Sequence, residues 1–248
     1  MTGAFAALAF APGLAVGSFL NVVAARVPQR RSIVRPPSAC PACATEIAWH
    51  DNVPVLSWLM LRGRCRSCSV AIPARYPLVE LGTAVLVAAC VVRFGLTPDA
   101  AVGAFFCAVL VAISAIDAEH RIIPNRIVLP ATVVVLVAQT ALHPSLQWIG
   151  GALGASAFLL AAALAYPGGM GEGDIKLALL LGAMLGASVT VALMIGLFAA
   201  LVPAAVLVSR HGSSARKMGV PLVPFLAFGS VVALFFGDAI LDAYLGLF

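Results

Sequence analysis

Charged residues are scarce in this sequence, and their scarcity excludes a soluble globular domain. Only 10% of the 248 residues are charged, whereas 62% are hydrophobic and the mean hydropathy is +1.07. Soluble domains carry roughly 25% charged residues. Acids are rarer than bases, with ten in the whole chain. Apolar runs of about 18 residues or more recur from end to end, which is typical of an integral membrane protein.

Basic residues are absent ahead of the first apolar run, residues 4–25. A secretory signal carries positive charge before its apolar segment, and here the first basic residue, Arg26, follows that segment. We therefore expect residues 4–25 to be a retained membrane span.

The apolar runs predict an all-α polytopic membrane protein with about eight transmembrane helices. The sixth run is short, and its boundary with the seventh rests on a weak turn signal at Gly182 and Gly186. The predicted spans cover about residues 4–25, 78–95, 99–118, 127–143, 147–166, 174–187, 189–208 and 222–246.

The distribution of Lys and Arg predicts the orientation in the membrane. With eight spans and an external N-terminus, fourteen of the fifteen basic residues fall on the cytoplasmic side, and only Arg93 is external. An excess of Lys and Arg in cytoplasmic loops is the general rule for membrane proteins. The net charge of +5 is thus a topology signal, and we expect no nucleic-acid partner.

One long polar stretch, residues 26–77, separates the first span from the rest, and its seven prolines argue against a long helix. Inside it, residues 55–61 form an apolar run too short to cross a bilayer. That run is either the small core of a folded loop domain or a segment lying on the membrane surface. We expect three parts: a first span at 1–25, a cytosolic zinc-binding loop domain at 26–77, and a membrane core at 78–248.

Four cysteines in the loop form two C-x-x-C pairs, Cys40 with Cys43 and Cys65 with Cys68, separated by 21 residues. Each pair places two thiolates on one tight turn, and two such turns can close a tetrahedral zinc site. Four cysteine ligands leave no open coordination position, so we expect the zinc to be structural. A redox or metal-free loop is the alternative. Zinc would supply folding free energy that a loop of about 50 residues lacks.

Two aspartates, Asp117 and Asp174, lie at the edges of apolar runs, where a carboxylate is costly and calls for a functional reason. The third span runs inward and the sixth outward, so both acids are expected at the cytoplasmic edge. Two adjacent carboxylates cannot both ionise easily and therefore share one proton. One can then act as a base towards water while the other donates to a scissile carbonyl.

Each aspartate also has a purely structural interpretation. Asp117 could pair with Arg121 four residues on, and Asp174 could neutralise Lys176 or cap its own helix. Glu119 and Glu172 are expected to be exposed. Glu80, near the start of the second span, is a further candidate for a buried acid.

The sequences around both aspartates resemble those of the bacterial type IV prepilin leader peptidases, which are membrane aspartic proteases with a Gly-x-Gly-Asp motif. Asp117 with Ile123-Pro124-Asn125 resembles the first catalytic motif, and the segment 171–177, Gly-Glu-Gly-Asp-Ile-Lys-Leu, resembles the second. The similarity extends to the segments 17–22, 51–59 and 75–80 and to both cysteine pairs, so it covers nearly the whole chain.

This resemblance implies an endopeptidase that removes the short basic leader from type IV prepilins or pseudopilins at the cytosolic face of the bacterial inner membrane. It implies that Asp117 and Asp174 are catalytic. Members with the four-cysteine loop commonly also methylate the new N-terminus with S-adenosylmethionine. The chain has no Rossmann glycine fingerprint, and no residue is assigned to that cofactor.

Two other classes of function compete with the peptidase. A small ion-coupled transporter would use intramembrane acids as relays, although relay acids usually lie near the midplane and the chain has no inverted repeat. A non-enzymatic assembly factor would use the zinc loop for protein contacts and would tolerate loss of both aspartates.

Overall fold

The computed structural model describes residues 2–166, 170–211 and 221–246. Over these residues the chain is all-α, and its only β-type pairings are two isolated bridges. The helices are α1 (Thr2–Arg26), α2 (Leu56–Met60), α3 (Arg75–Phe94), α4 (Pro98–His120), α5 (Asn125–Leu142), α6 (Gln147–Ala165), α7 (Glu172–Leu185), α8 (Val189–His211) and α9 (Val223–Leu245). The all-α prediction is confirmed. Each predicted span has its own helix, and α2 is the additional short one.

Seven stretches of the described chain are long and apolar enough to cross a membrane, judged by length and composition. The sixth, Glu172–Arg210, has 39 residues, enough for two crossings, and the fold divides it into α7 and α8. The division falls at a 3-10 turn, Gly186–Ser188, where Gly186 adopts a φ of +54°. A left-handed residue ends an α-helix, and glycine adopts that conformation without a Cβ penalty.

The chain is thus a multi-pass membrane protein, whereas its orientation stays a prediction. Two of the basic residues on which the orientation depends, Arg216 and Lys217, lie outside the described residues.

The first of two compact units, Met1–Ala115, is organised by close packing of α1 against α3. A Cβ added at Gly17 would lie 2.6 Å from the Glu80 Cα, and one added at Gly13 would lie 2.7 Å from the Ala84 Cα. Glycines spaced four residues apart let two membrane helices approach this closely. Asn21 then adds a polar link, because its Nδ2 donates to the Tyr76 carbonyl at 3.1 Å.

The second unit, Ile116–Phe248, is built on two antiparallel helix pairs, α6 with α7 and α8 with α9. Where α6 packs on α7, a Cβ on Gly151 would lie 2.8 Å from the Gly182 carbonyl oxygen. The Ser156 hydroxyl also donates a hydrogen bond to the Ile175 carbonyl. At one end of the α8–α9 pair, the Ser188 hydroxyl donates to the Asp238 carboxylate at 2.7 Å. This contact places the 3-10 turn that follows α7 beside α9.

Candidate active site and metal centre

Asp117 lies in the last turn of α4 and is 7% exposed. Its backbone carbonyl accepts the Arg121 N–H at 2.9 Å, which closes the C-terminal turn of the helix. The carboxylate faces the backbone N–H of Val223, at the start of α9, and the charge of Arg121. Its Oδ2 is buried and has no hydrogen-bond partner among the described residues. A buried hydrogen-bond acceptor without a partner costs folding free energy, and such groups are typical of functional sites.

Asp174 lies in the first turn of α7 and is half-buried. Its Oδ2 accepts the Gly171 N–H at 3.2 Å, and its own backbone N–H donates to the Gly171 carbonyl at 3.1 Å. The capping interpretation of Asp174 is therefore confirmed. The suggested pairing with Lys176 is wrong, because Lys176 binds Glu172 at 3.4 Å. The cap fixes one carboxylate oxygen of Asp174 at the start of the helix.

A glycine brings the two aspartate segments together. A Cβ added at Gly173 would lie 2.9 Å from the Cβ of Ile123, in the connection between α4 and α5. Only glycine permits this approach, so the residue before Asp174 packs directly on the segment that follows Asp117. The two carboxylates lie near enough for the charge of Asp117 to act on Asp174. The structure therefore brings together the two acids that the sequence singled out.

The acids flanking this pair differ in exposure. The Glu172 side chain is 89% exposed and that of Glu119 is 38% exposed, as expected from the sequence. Glu80 is buried, as its position suggested, and its Oε2 accepts the backbone N–H of Val55 at 2.7 Å. Nothing in the sequence predicted that contact, which joins α3 to the loop.

The four loop cysteines converge in the first unit, with all their Sγ atoms within 4.8 Å of one another. The Sγ atoms of Cys40 and Cys68 are 3.7 Å apart. A tetrahedral zinc with Zn–S bonds of about 2.3 Å requires sulfur–sulfur distances of about 3.8 Å. The cluster can therefore hold a metal ion, and its all-thiolate, four-ligand composition fits zinc.

The two cysteine turns have the same backbone hydrogen bonds. Cys40 donates to the Thr45 carbonyl and accepts from the Ala44 N–H, while Cys65 donates to the Val70 carbonyl and accepts from the Ser69 N–H. Ala44 and Ser69 both adopt left-handed backbone, with φ of 56° and 57°. An isolated bridge closes each turn, Ala39 with Glu46 and Arg64 with Ala71.

The thiols of the cluster differ in acidity. Hydrogen bonds donated by the Thr45 hydroxyl and backbone N–H to the thiolate lower the pKa of Cys43 to about 6, and the Cys43 Sγ lies 3.3 Å from the Thr45 hydroxyl oxygen. Backbone hydrogen bonds from Cys68 and Ser67 lower the pKa of Cys65. The pKa of Cys68 is raised to about 12, because desolvation and the neighbouring thiols outweigh a backbone hydrogen bond from Val70. Four crowded thiols do not all ionise without a cation to neutralise them.

An ion pair holds the second cysteine turn against the rest of the loop, and the sequence did not predict it. The Arg66 guanidinium donates two hydrogen bonds to the Asp51 carboxylate, at 2.7 and 2.6 Å. Fork-shaped pairs of this kind orient both partners. The other two cysteines, Cys90 and Cys107, are fully buried within α3 and α4, as expected of small apolar residues.

Family models match most of the chain in two segments. The bacterial Peptidase A24 N-terminal domain matches residues 12–94, which include all four loop cysteines. The type IV leader peptidase family matches residues 104–209, which include both aspartates. No solved structure is similar enough to match this chain.

Curated relatives of this chain carry the name prepilin leader peptidase/N-methyltransferase, and three of them illustrate the similarity. The protein of Bacillus subtilis is 35% identical over 94% of this chain and 95% of its own length. The protein of Pseudomonas aeruginosa is 36% identical over 94% of this chain and 91% of its own length. The protein of Myxococcus xanthus is 52% identical over 51% of this chain, a match that spans 38% of that relative. The chain therefore belongs to the type IV leader peptidase family.

Proposed function

We propose that this chain is a membrane aspartic endopeptidase that removes the basic leader from type IV prepilins or pseudopilins, with Asp117 and Asp174 as its catalytic pair. One observation carries the proposal: two carboxylates from different helices meet at one end of a membrane unit, and one has a buried oxygen without a hydrogen-bond partner. Membership of the leader peptidase family makes the chain a prepilin peptidase by class.

The chemistry follows from two adjacent carboxyl groups of which one is ionised and the other protonated. The ionised group takes a proton from water as the water oxygen attacks the scissile carbonyl carbon. The protonated group donates to the carbonyl oxygen, which becomes a hydroxyl in the tetrahedral intermediate. When the C–N bond breaks, the carboxyl group that took the water proton gives it to the leaving amine nitrogen. A hydroxyl of the intermediate returns its proton to the other carboxylate as the product carboxyl group forms, so the pair again holds one proton.

The surroundings give the two acids different roles. The Gly171 N–H is bonded to Asp174 and favours the ionised form of that carboxylate, because it donates to the charge. Burial disfavours the ionised form of both acids, but the buried Oδ2 of Asp117 has no hydrogen-bond donor within the described part of the chain to stabilise a negative charge. We therefore assign Asp174 as the base towards water and Asp117 as the acid that donates to the carbonyl oxygen.

The substrate follows from the family and from the predicted position of the site. A prepilin has a basic leader followed by an apolar helix, and its cleavage point lies where the two meet. A catalytic pair at the cytosolic edge of the inner membrane would meet that point while the apolar helix stays in the bilayer. This placement depends on the charge-based orientation, with the N-terminus outside and the loop in the cytosol.

The metal in the loop is proposed to be zinc with a structural role. Cys40, Cys43, Cys65 and Cys68 would hold it, and it would fix the two cysteine turns against each other. Four thiolates leave no position for substrate, so the zinc takes no part in peptide hydrolysis.

We also propose that the chain methylates the N-terminus that it exposes, with S-adenosylmethionine as the methyl donor. The names of its full-length relatives support this second activity, since the matches cover both halves of the chain. No residue is assigned to the cofactor. A transporter is not favoured, because the family is one of peptidases.

The test is cleavage of a purified prepilin by Asp117→Asn and Asp174→Asn enzymes in reconstituted membranes. Each substitution removes one ionisable group from the pair while keeping its shape, and we expect each to slow cleavage at least about a thousandfold. Mass spectrometry of the product reports both the trimmed leader and any added methyl group.

Asp242→Asn is the matched control. Asp242 is exposed near the C-terminal end of α9, whereas Val223, which faces Asp117, lies at the opposite end of that helix. This variant should cleave at the wild-type rate. Wild-type turnover by either Asp117→Asn or Asp174→Asn would refute the proposal.

A further inference from the structure

The short helix α2 has an inverted pattern of burial. Its one polar residue, Ser57, is 6% exposed, and the Ser57 hydroxyl donates to the His50 carbonyl and accepts from the Val53 N–H. Its apolar residues Leu56, Leu59 and Met60 are 54%, 58% and 73% exposed. A helix that buries its serine and exposes its large apolar side chains is adapted to an apolar surrounding, not to water.

The internal contacts of the loop keep α2 in this orientation. The Trp58 indole N–H donates to the Ile72 carbonyl at 3.0 Å, and the ring packs on Gly63, where an added Cβ would lie 2.8 Å away. Trp58 and Ser57 therefore anchor one face of the helix to the loop. Because these two contacts fix the rotation of the helix, Leu59 and Met60 stay on the outer face.

A hydrogen bond ties the start of α2 to a membrane-spanning helix. Val55, which directly precedes the helix, donates its backbone N–H to Glu80 of α3 at 2.7 Å. Glu80 lies five residues, or about 7 Å, along α3 from Arg75, where that membrane-spanning helix begins. This rise is comparable with the thickness of the headgroup layer on one side of a bilayer. The start of α2 is thus tied to the first turns of α3, close to the end at which this membrane-spanning helix begins.

The residues around α2 suit a lipid surface. Arg62 and Arg64 follow the helix and are exposed, so they place positive charge beside its apolar side chains. The neighbours of Glu80 on α3, Leu78 and Leu81, are 66% and 42% exposed on a helix that crosses the membrane. The helix to which α2 is tied therefore exposes large apolar side chains at nearly the same height as Glu80.

From this geometry we infer that α2 is an interfacial helix whose Leu56, Leu59 and Met60 insert among the lipids of the adjoining leaflet, with Arg62 and Arg64 at the anionic headgroups. An apolar face flanked by basic residues is the general design of such helices. The loop that holds the cysteine cluster is then attached to the membrane surface at a third point, in addition to α1 and α3. This inference does not depend on the catalytic roles of the aspartates.

Photo-crosslinking of the full-length chain in nanodiscs tests the inference. A benzophenone amino acid replaces Met60 in one variant and Leu59 in a second, and the discs contain phosphatidylethanolamine and phosphatidylglycerol. Glu46, an exposed polar residue of the first cysteine turn, carries the same probe as the matched control. We expect lipid adducts at positions 59 and 60 at least about fivefold above those at position 46.

Three results would overturn the inference: no lipid adducts at positions 59 and 60, equal yields at all three positions, or adducts to protein in place of lipid. The last result would identify a protein surface as the cover of α2. The contribution of the two arginines is tested separately. The double substitution Arg62→Ser and Arg64→Ser should lower the yield of lipid adducts at position 60 about threefold in discs that contain phosphatidylglycerol. Discs of phosphatidylcholine alone should show no such change, and an equal change in both kinds of disc would contradict the role of the two arginines.

Discussion

The cysteine cluster and the aspartate pair show two ways in which a sequence encodes a site. In the cluster, each half is a turn of six or seven residues with its own hydrogen bonds, and the two halves have the same backbone design. In the pair, each half is one acid on a separate helix, 57 residues apart, and no local feature defines the partner. The cluster is encoded locally, whereas the pair depends on how the second unit folds.

This difference determines which substitutions damage which site. The cysteine turns should be sensitive to their own residues and insensitive to packing in the membrane. The aspartate pair should also be sensitive to substitution of residues that take no part in the reaction, because those residues pack α7 against the connection after α4. Gly173 is the clearest of them, since it contacts Ile123 without room for a methyl group.

The largest effect that tests this difference is expected for Gly173→Ala. The added Cβ would lie 2.9 Å from the Ile123 Cβ, so Asp174 would move away from Asp117. A misplacement of about 1 Å in a catalytic group can cost roughly a hundredfold in rate, and we expect a loss of that size in prepilin cleavage. The metal content should not change.

Gly154→Ala is the control for this substitution. Gly154 lies on α6 in the same unit and has open space where a Cβ would be. We expect cleavage at the wild-type rate. Adding Ile123→Gly to Gly173→Ala should restore part of the lost activity, and the absence of any rescue would show that this contact does not position the acids.

A smaller effect, at the other site, is expected for Cys40→Ser. Loss of one thiolate should lower zinc affinity at least about tenfold and make the loop easier to digest, because metal binding contributes to the folding of the loop. Elemental analysis of the purified protein and limited proteolysis measure the two consequences. Cys90→Ala, a change within α3 away from the cluster, should keep the metal. Equal zinc in Cys40→Ser and wild type would contradict the assignment of the cluster.

The smallest effect is expected for the ion pair between Asp51 and Arg66. Hydrogen bonds from the Arg66 guanidinium lower the pKa of Asp51 below its ordinary value of 3.8. Its contribution to stability is therefore present above pH 3.8 and is lost as the pH falls through the lowered pKa of the folded state. The Arg66 side chain is 59% exposed, so water and salt weaken the interaction.

We expect Asp51→Asn to lower the thermal midpoint of the loop by about 1–2 °C at neutral pH. The difference from wild type should shrink when the pH is lowered below 3.8 or when salt is added. A difference that grew in acid would contradict the sign of the pKa shift.

The sequence alone was sufficient to predict features that depend on residues close to one another in the chain. Hydropathy located the membrane helices to within a few residues, as for 147–166 against Gln147–Ala165. The spacing of Cys40, Cys43, Cys65 and Cys68 predicted a cluster that the structure forms. The break at Gly186 was only weakly signalled, because a left-handed glycine at a helix end looks like any other small residue in an apolar run.

Contacts between residues far apart in the chain could not be predicted from the sequence. Nothing local to Gly173 indicates that it will face Ile123, and nothing local to Glu80 indicates that it will accept the Val55 N–H. The exposure of Leu59 and Met60 could not be predicted either, because the apolar run at residues 55–61 is compatible with a loop core as well as with a membrane-surface segment. The outward orientation of these side chains follows from the buried Ser57 hydroxyl and the Trp58 indole hydrogen bond, and both contacts depend on the folded loop.

The most direct test of the account is a double-substitution cycle on prepilin cleavage under single-turnover conditions, with Asp117→Asn, Asp174→Asn and the two together. Groups that act as one unit lose their function together, so the double variant should be no slower than the slower single variant. Losses that multiply in the double variant would show that the two acids act independently, and would contradict a pair that shares one proton.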